Sequence, residues 1–173
     1  MYDLTKVGAR VFAYVAGCIV FVAIVSFLLI TNLDLSSISR YQMPVEFYET
    51  ETIVLSNQQL VVWLAKTEDE RATGLSFIDP SWFKNQDVNG MLFLFNDDVL
   101  LEFWMKDMQF DLDVVWIDNG EIVKIDQDIP SPERADGDTV RMSSDPYEVD
   151  MVLELPAGSV ADLGIETGDV LTK

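Results

Sequence analysis

Leu100-Leu101-Glu102-Phe103-Trp104-Met105-Lys106 is the stretch on which the fold turns. Its alternation puts Leu101, Phe103 and Met105 on one face and Glu102, Trp104 and Lys106 on the other, the period of a half-buried strand. The segments around it repeat the theme. Upstream, Asn89-Gly90 leads into a strand over Met91–Phe95. Downstream, strands over Asp113–Ile117 and Glu121–Asp126 flank Asp118-Asn119-Gly120, and Asn-Gly is the strongest two-residue hairpin signal. Tyr147–Leu155 alternates again, with Val149, Met151, Leu153 and Leu155 opposed to Glu148, Asp150 and Glu154. Nearer the amino end, Ile53–Leu55 and Leu60–Leu64 flank a polar Ser56–Gln59 turn, and Val170-Leu171 follows Gly168-Asp169 as a last strand.

Helical signals are short. Thr67 and Glu70 have capping-box spacing, and Gly74 ends that helix after roughly two turns. Asp79-Pro80 caps a second turn, Ser159–Leu163 before Gly164 forms a third, and residues 127–142 read as a polar loop. About seven short strands with so few helical turns predict a mainly β fold, a single sandwich, jelly-roll-like or barrel domain with one or two short helices. Trp63, Phe93, Phe103, Leu112 and Leu153 are its expected core.

Four segments organise the chain: a tail (1–10), an anchor (11–30), a spacer (31–51) and an acidic β-rich domain (52–173). Val11–Ile30 is uncharged over its whole length, and at 1.5 Å per residue it spans roughly 30 Å, a bilayer's hydrocarbon core. The run is too long for a signal-peptide core, and no small-residue cleavage site follows Ile30. Val15-Ala16-Gly17-Cys18 resembles a lipoprotein processing box, but too few apolar residues precede it. Lys6 and Arg10 before the run, against Arg40 after it, put the amino end in the cytoplasm and the carboxyl domain outside. The expected location is thus a single-pass protein of the cell membrane. Pro44 and the lack of a period mark residues 31–51 as a tether, up to about 70 Å long when extended.

Lys and Arg total 11 against 30 Asp and Glu, with no His and one Cys. No Ser-His-Asp or Cys-His nucleophile, His-ligated metal or intrachain disulfide can be built from these residues. A net charge of −19 also argues against a nucleic-acid partner, which needs clustered cations.

Three constellations remain. The polar face of the 100–106 strand, Glu102, Trp104 and Lys106, together with Arg71, Asp113 and Glu154, suits stacking on a sugar or another flat ligand. Alternatively these groups are structural, with Trp104 under a loop and the charges in ion pairs. The pairs Asp97-Asp98, Asp111-x-Asp113, Asp126-x-Asp128 and Asp136-Gly-Asp138 offer oxygens for calcium, but none has EF-hand spacing, and neither a metal nor a cofactor is expected. Glu102 with Asp113 or Glu154 is the pair for a carboxylate-dependent, glycosidase-like hydrolase.

Glu70-Arg71, Gly74-Leu75, Gly90-Met91-Leu92-Phe93, Phe103-Trp104-Met105-Lys106, Leu112-Asp113, Leu153-Glu154, Ala157-Gly158 and Gly168-Asp169 follow the order and spacing of a known family. Over roughly residues 53–172 the chain resembles the uncharacterised prokaryotic family "domain of unknown function 192". It departs at Ser76, where the family usually has Met, and at Asp107, where Asn is usual and where a negative charge now stands beside Lys106. The resemblance implies a mainly β, sandwich-like fold with a frequent export signal or anchor, and no reaction. The expected function is a non-enzymatic binding or accessory module, held to the bilayer by residues 11–30, for an envelope carbohydrate or protein. The alternatives are the carboxylate hydrolase and a purely structural domain.

Overall fold

Ser56 and Asn57 both adopt positive φ, +50° and +62°, which turns the chain in two residues and matches the right-handed twist of the strands they join. Those strands are β1 (Thr50–Leu55) and β2 (Gln58–Ala65), paired antiparallel with Leu55 opposite Gln58. The turn is therefore two residues tighter than the polar run suggested. The computed structural model describes residues 48–137 and 139–172. The proposed tail and anchor, and the spacer up to residue 47, lie outside them; among the described residues no helix is long and apolar enough to cross a membrane.

The chain between β2 and the next strand carries α1 (Glu68–Thr73) and α2 (Ser81–Gln86). At the start of α1 the Thr67 hydroxyl accepts from Glu70 N–H at 3.2 Å, and the Glu70 carboxylate accepts from the backbone N–H of Thr67 and of Lys66, each at 2.8 Å. Thr67→Ala removes one of these acceptors and is expected to lower stability by about 1 kcal/mol, read by urea unfolding. The Asp79 carboxylate accepts from Ser81 N–H at 2.8 Å and so opens α2.

This helical stretch is a crossover, because β3 (Gly90–Val99) runs parallel to β2. After the short β4 (Glu102–Trp104), β5 (Leu112–Asp118) and β6 (Glu121–Ile129) form a hairpin on Asn119-Gly120, as the Asn-Gly signal predicted. β7 (Arg141–Ser143), β8 (Val149–Pro156) and α3 (Ser159–Leu163) complete the elements. The fold is mainly β, but it is not a pair of packed antiparallel sheets. It is one six-stranded mixed sheet, β1-β2-β3-β8-β5-β6, with a two-stranded β4-β7 ribbon beside it. The parallel β2–β3 pair is what breaks the sandwich expectation: a connection holding two helices returns the chain in the same direction.

The carboxyl-terminal residues reach both outer strands. Leu171 N–H donates to Gly120 O at 2.8 Å, while Val54 and Thr172 exchange both backbone hydrogen bonds at 2.8 and 2.9 Å. In a flat sheet the outer strands of six would stand about 24 Å apart, too far for residues one position apart to touch both. The sheet is therefore curled into a barrel, and residues 170–172, where a last strand was expected at Val170-Leu171, close it by two isolated bridges and no strand. Aliphatic side chains fill the inside, among them Ile53, Leu64, Leu92, Val115, Leu153 and Leu171. The outer face carries a second, aromatic-rich cluster with Trp63, Phe93 and Trp116, which Leu75 and Ile78 after α1, Phe83 of α2 and the ribbon cover. Of the expected core, Trp63, Phe93, Leu112 and Leu153 are buried and Phe103 is half-buried.

Two boundaries shift. Tyr48 is buried against Trp63, with ring centroids 6.4 Å apart, and β1 starts at Thr50, so the end of the proposed 31–51 spacer is part of the domain. In Leu100–Lys106 only Glu102–Trp104 is strand, paired with β7 and not with the main sheet. Its alternation holds nevertheless: Leu101, Phe103 and Met105 turn toward the barrel, while Glu102, Trp104 and Lys106 are exposed.

Candidate functional site

α1 and β4 straddle the outer face of the barrel and leave a cavity of about 290 Å³ between them. Its walls are largely apolar: Leu75, Phe93, Phe95, Leu101, Phe103 and Met108. Phe103 is the hub. Its ring meets Phe93 edge-on at 5.0 Å and Trp116 edge-on at 5.6 Å, the arrangement favoured by ring quadrupoles. Ser76 at one end fastens the wall, its hydroxyl donating to Lys106 O at 3.1 Å, and Phe77 N–H donates to Asp107 O at 2.8 Å. Phe77 and Asp107 both hold φ near +60°, strained for a bulky Phe and tolerated by Asp. Both departures from the family pattern, Ser76 and Asp107, thus sit in one clasp.

Four of the six residues singled out from the sequence line this cavity: Arg71, Glu102, Trp104 and Glu154. Arg71 comes from α1. Its Nη1 donates to the carbonyl oxygens of Lys66 and of Leu94, the latter at 3.0 Å, and the guanidinium lies over the Phe95 ring, 5.0 Å from its centroid. Glu102 and Trp104 form the rim. Trp104 is 49% exposed, with Arg141 stacked 5.2 Å from the ring centroid and 3.8 Å from the Glu102 carboxylate.

Glu154 differs from the other three. It lies on β8 between β3 and β5, opposite Met91 and Val114, and is only 5% exposed. The sequence set it among the solvated residues of an alternating strand. In fact both faces of β8 are covered from Val152 to Leu155, one by the barrel interior and one by the outer layer, and Glu154 faces the latter. Loss of water pushes its carboxyl up to about 8. No hydrogen bond or ion pair holds that carboxyl among the described residues. At neutral pH it is thus largely a neutral acid, able to donate one hydrogen bond into the cavity.

Asp113 and Lys106 stand apart. Asp113 lies on β5 in register with Val115 and Ile117, which face the barrel interior, so it points away from the cavity. Buried there, its carboxylate accepts from Val160 N–H at 3.0 Å and Asp128 N–H at 2.9 Å, tying α3 and the end of β6 to the sheet. The Glu102–Asp113 pairing is therefore excluded by geometry, because the sheet lies between them. Lys106 is exposed, and it is its carbonyl that serves the clasp. Of the aspartate pairs weighed for calcium, Asp128 and Asp111 bind Arg134 instead, at 3.1 and 2.8 Å.

Sequence reasoning left out Leu75, Phe95 and Met108 as cavity walls. A signal was present: Glu70-Arg71, Gly74-Leu75, Gly90–Phe93, Phe103–Lys106 and Leu153-Glu154, five of the blocks that carry the resemblance, each contribute a cavity residue.

A family model, DUF192, described as "Uncharacterized ACR", matches residues 51–173. No curated protein matches the chain. Two crystal structures are similar to it. A candidate transcription regulator from Sinorhizobium meliloti 1021 is 30% identical, with TM-score 0.60, covering 72% of this chain and 94% of its own. A protein of unknown function from Novosphingobium aromaticivorans DSM 12444 is 26% identical, with TM-score 0.61, covering 75% and 89% respectively.

Proposed function

The chain belongs to the DUF192 family, and from that premise we propose that it is a non-enzymatic binding module, anchored by residues 11–30 and exposed outside the cell membrane. Its ligand is a small group on an envelope carbohydrate or protein, lodged in the cavity between α1 and β4. The observation that carries this reading is the convergence of five sequence-distant motif blocks on one cavity with aromatic walls and, at its floor, an acid that has no partner among the described residues. The size lies at the low end for small-molecule sites, which suits a single ring or side chain rather than a long oligomer. The exposed face of Trp104 extends the apolar surface to the rim, where a sugar or aromatic group can stack. The anchor and orientation rest on the uncharged Val11–Ile30 run and on Lys6 and Arg10 before it.

Trp104→Ala tests the reading. Its ring is half outside the packed layer, so the variant is expected to fold, with a melting temperature within a few degrees of the parent. Pull-down of the anchored protein from its own membranes should recover a co-purifying component that the variant loses at least tenfold. Equal recovery from both proteins would remove the cavity rim from the interaction.

The hydrolase reading keeps one point of support, because Glu102 and Glu154 line the same cavity and a raised carboxyl is what a general acid needs. Release of reducing sugar from envelope glycans, abolished by Glu154→Gln, would favour it over binding.

A further inference from the structure

We infer that the cavity recognises a primary ammonium group, with the Glu154 carboxylate as its counter-ion; this rests on the binding reading above and names the ligand's chemical class. Glu154 is 5% exposed and lines the cavity with no partner among the described residues, so its carboxyl is open to a donor that enters. The surrounding charge favours a cation. From α1 come Glu68 and Arg71, and from β4 comes Glu102, while the flanking positions on β3 and β5 are the uncharged Met91 and Val114. Among the described residues Arg71 is the one cation lining the cavity, and its Nη1 and ring-facing surface are already engaged by two carbonyls and Phe95. An anion would meet the carboxylates of Glu68 and of Glu102, the latter 3.8 Å from Arg141 at the rim, in a chain of net charge −19. A quaternary ammonium has no N–H to give the floor acid. A primary ammonium has three, and the Phe93 and Phe103 rings beside it can accommodate both its charge and an apolar body.

Entry of the cation favours the ionised form of Glu154, so the carboxyl proton leaves to solvent as the ion pair forms. Because burial holds the empty-site carboxyl up to about 8, amine affinity should climb about tenfold per pH unit from 6 to near 8 and then level off. A neutral ligand that accepts a hydrogen bond from the protonated acid behaves in the opposite way, weakening as the pH passes 8.

The experiment uses the full-length chain in a non-ionic detergent and three matched probes: benzylamine, benzyl alcohol and benzoate. Calorimetric titrations run in two amine-free buffers of different ionisation enthalpy, which counts protons released. The expected result is benzylamine binding at least tenfold tighter than the other two, release of close to one proton near pH 7, and the pH climb described. Glu154→Gln should abolish the proton release and weaken benzylamine at least tenfold. Should that variant not fold, the proton count and pH profile of the parent decide alone. Benzyl alcohol or benzoate binding as well as the amine, or amine affinity that does not change with pH, overturns the ammonium inference and leaves the binding reading standing. Binding of none of the three at millimolar concentration also overturns it. The binding reading is then judged by whether Trp104→Ala still loses its co-purifying component.

Discussion

Glu154→Gln should stabilise the protein at pH 8 by roughly 3–4 kcal/mol and leave it nearly unchanged at pH 4. The folded-state carboxyl is held up to about 8 by loss of water, against an ordinary value of 4.5. Below pH 4.5 both states carry the proton, so the parent suffers no ionisation penalty. Between 4.5 and 8 the unfolded chain gives up its proton while the folded chain keeps it, so folding becomes progressively less favourable as pH rises. The amide has the same shape and never ionises, which removes this slope. Melting curves of parent and variant at several pH values check it, since their difference cancels the titration of every other acid. Equal pH slopes would mean that water reaches the floor of the cavity and that Glu154 is an ordinary carboxylate. Retention of a group that weakens the fold at neutral pH is what a site kept for binding would show.

Gly90→Ala should be the more damaging change, lowering stability by roughly 3 kcal/mol or more, and the variant is expected to accumulate as insoluble protein. A Cβ at Gly90 would stand 2.2 Å from the carbonyl oxygen of Glu154 and 2.8 Å from Leu155 Cδ2. The first neighbour is backbone and cannot rotate away. Either β3 or β8 must move, and both are central strands of the barrel. Since Met91 lies opposite Glu154 across that strand pair, the displacement would also shift the cavity floor. Soluble yield and denaturant midpoint measure the effect. A variant of parental stability would mean that the two strands separate there at little cost.

Much of the architecture is written in local pattern. Asn119-Gly120 set its hairpin, Thr67 with Glu70 set the start of α1, and Ser159–Leu163 with Gly164 set α3. Each depends on residues within a few positions of one another, through backbone hydrogen bonds and permitted φ values. Leu101, Phe103 and Met105 also faced inward as their period required. Their partner strand did not follow, because β7 lies across a loop from them and pairing is a long-range event. The polar run Ser56–Gln59 hid a two-residue turn, since Gln58 and Gln59 are solvent-facing strand residues and polar for that reason.

Alternation misled most at the site itself. Glu154 read as the polar partner in a half-buried strand and Asp113 as a neighbour of the exposed polar face, yet both are buried, on opposite faces of the sheet. A period of two says that neighbouring side chains part company; it does not say which side meets water. By itself the sequence determined short strands, their turns and caps, the uncharged run at residues 11–30 and the absence of histidine chemistry. Only the tertiary structure decided that the sheet closes through residues 170–172, that both its faces are covered, and that Arg71, Glu102, Trp104 and Glu154 share a cavity while Asp113 does not. The reason is physical: local signals act over a few residues of chain, whereas burial and a carboxyl's protonation are set by whatever distant segments pack around it.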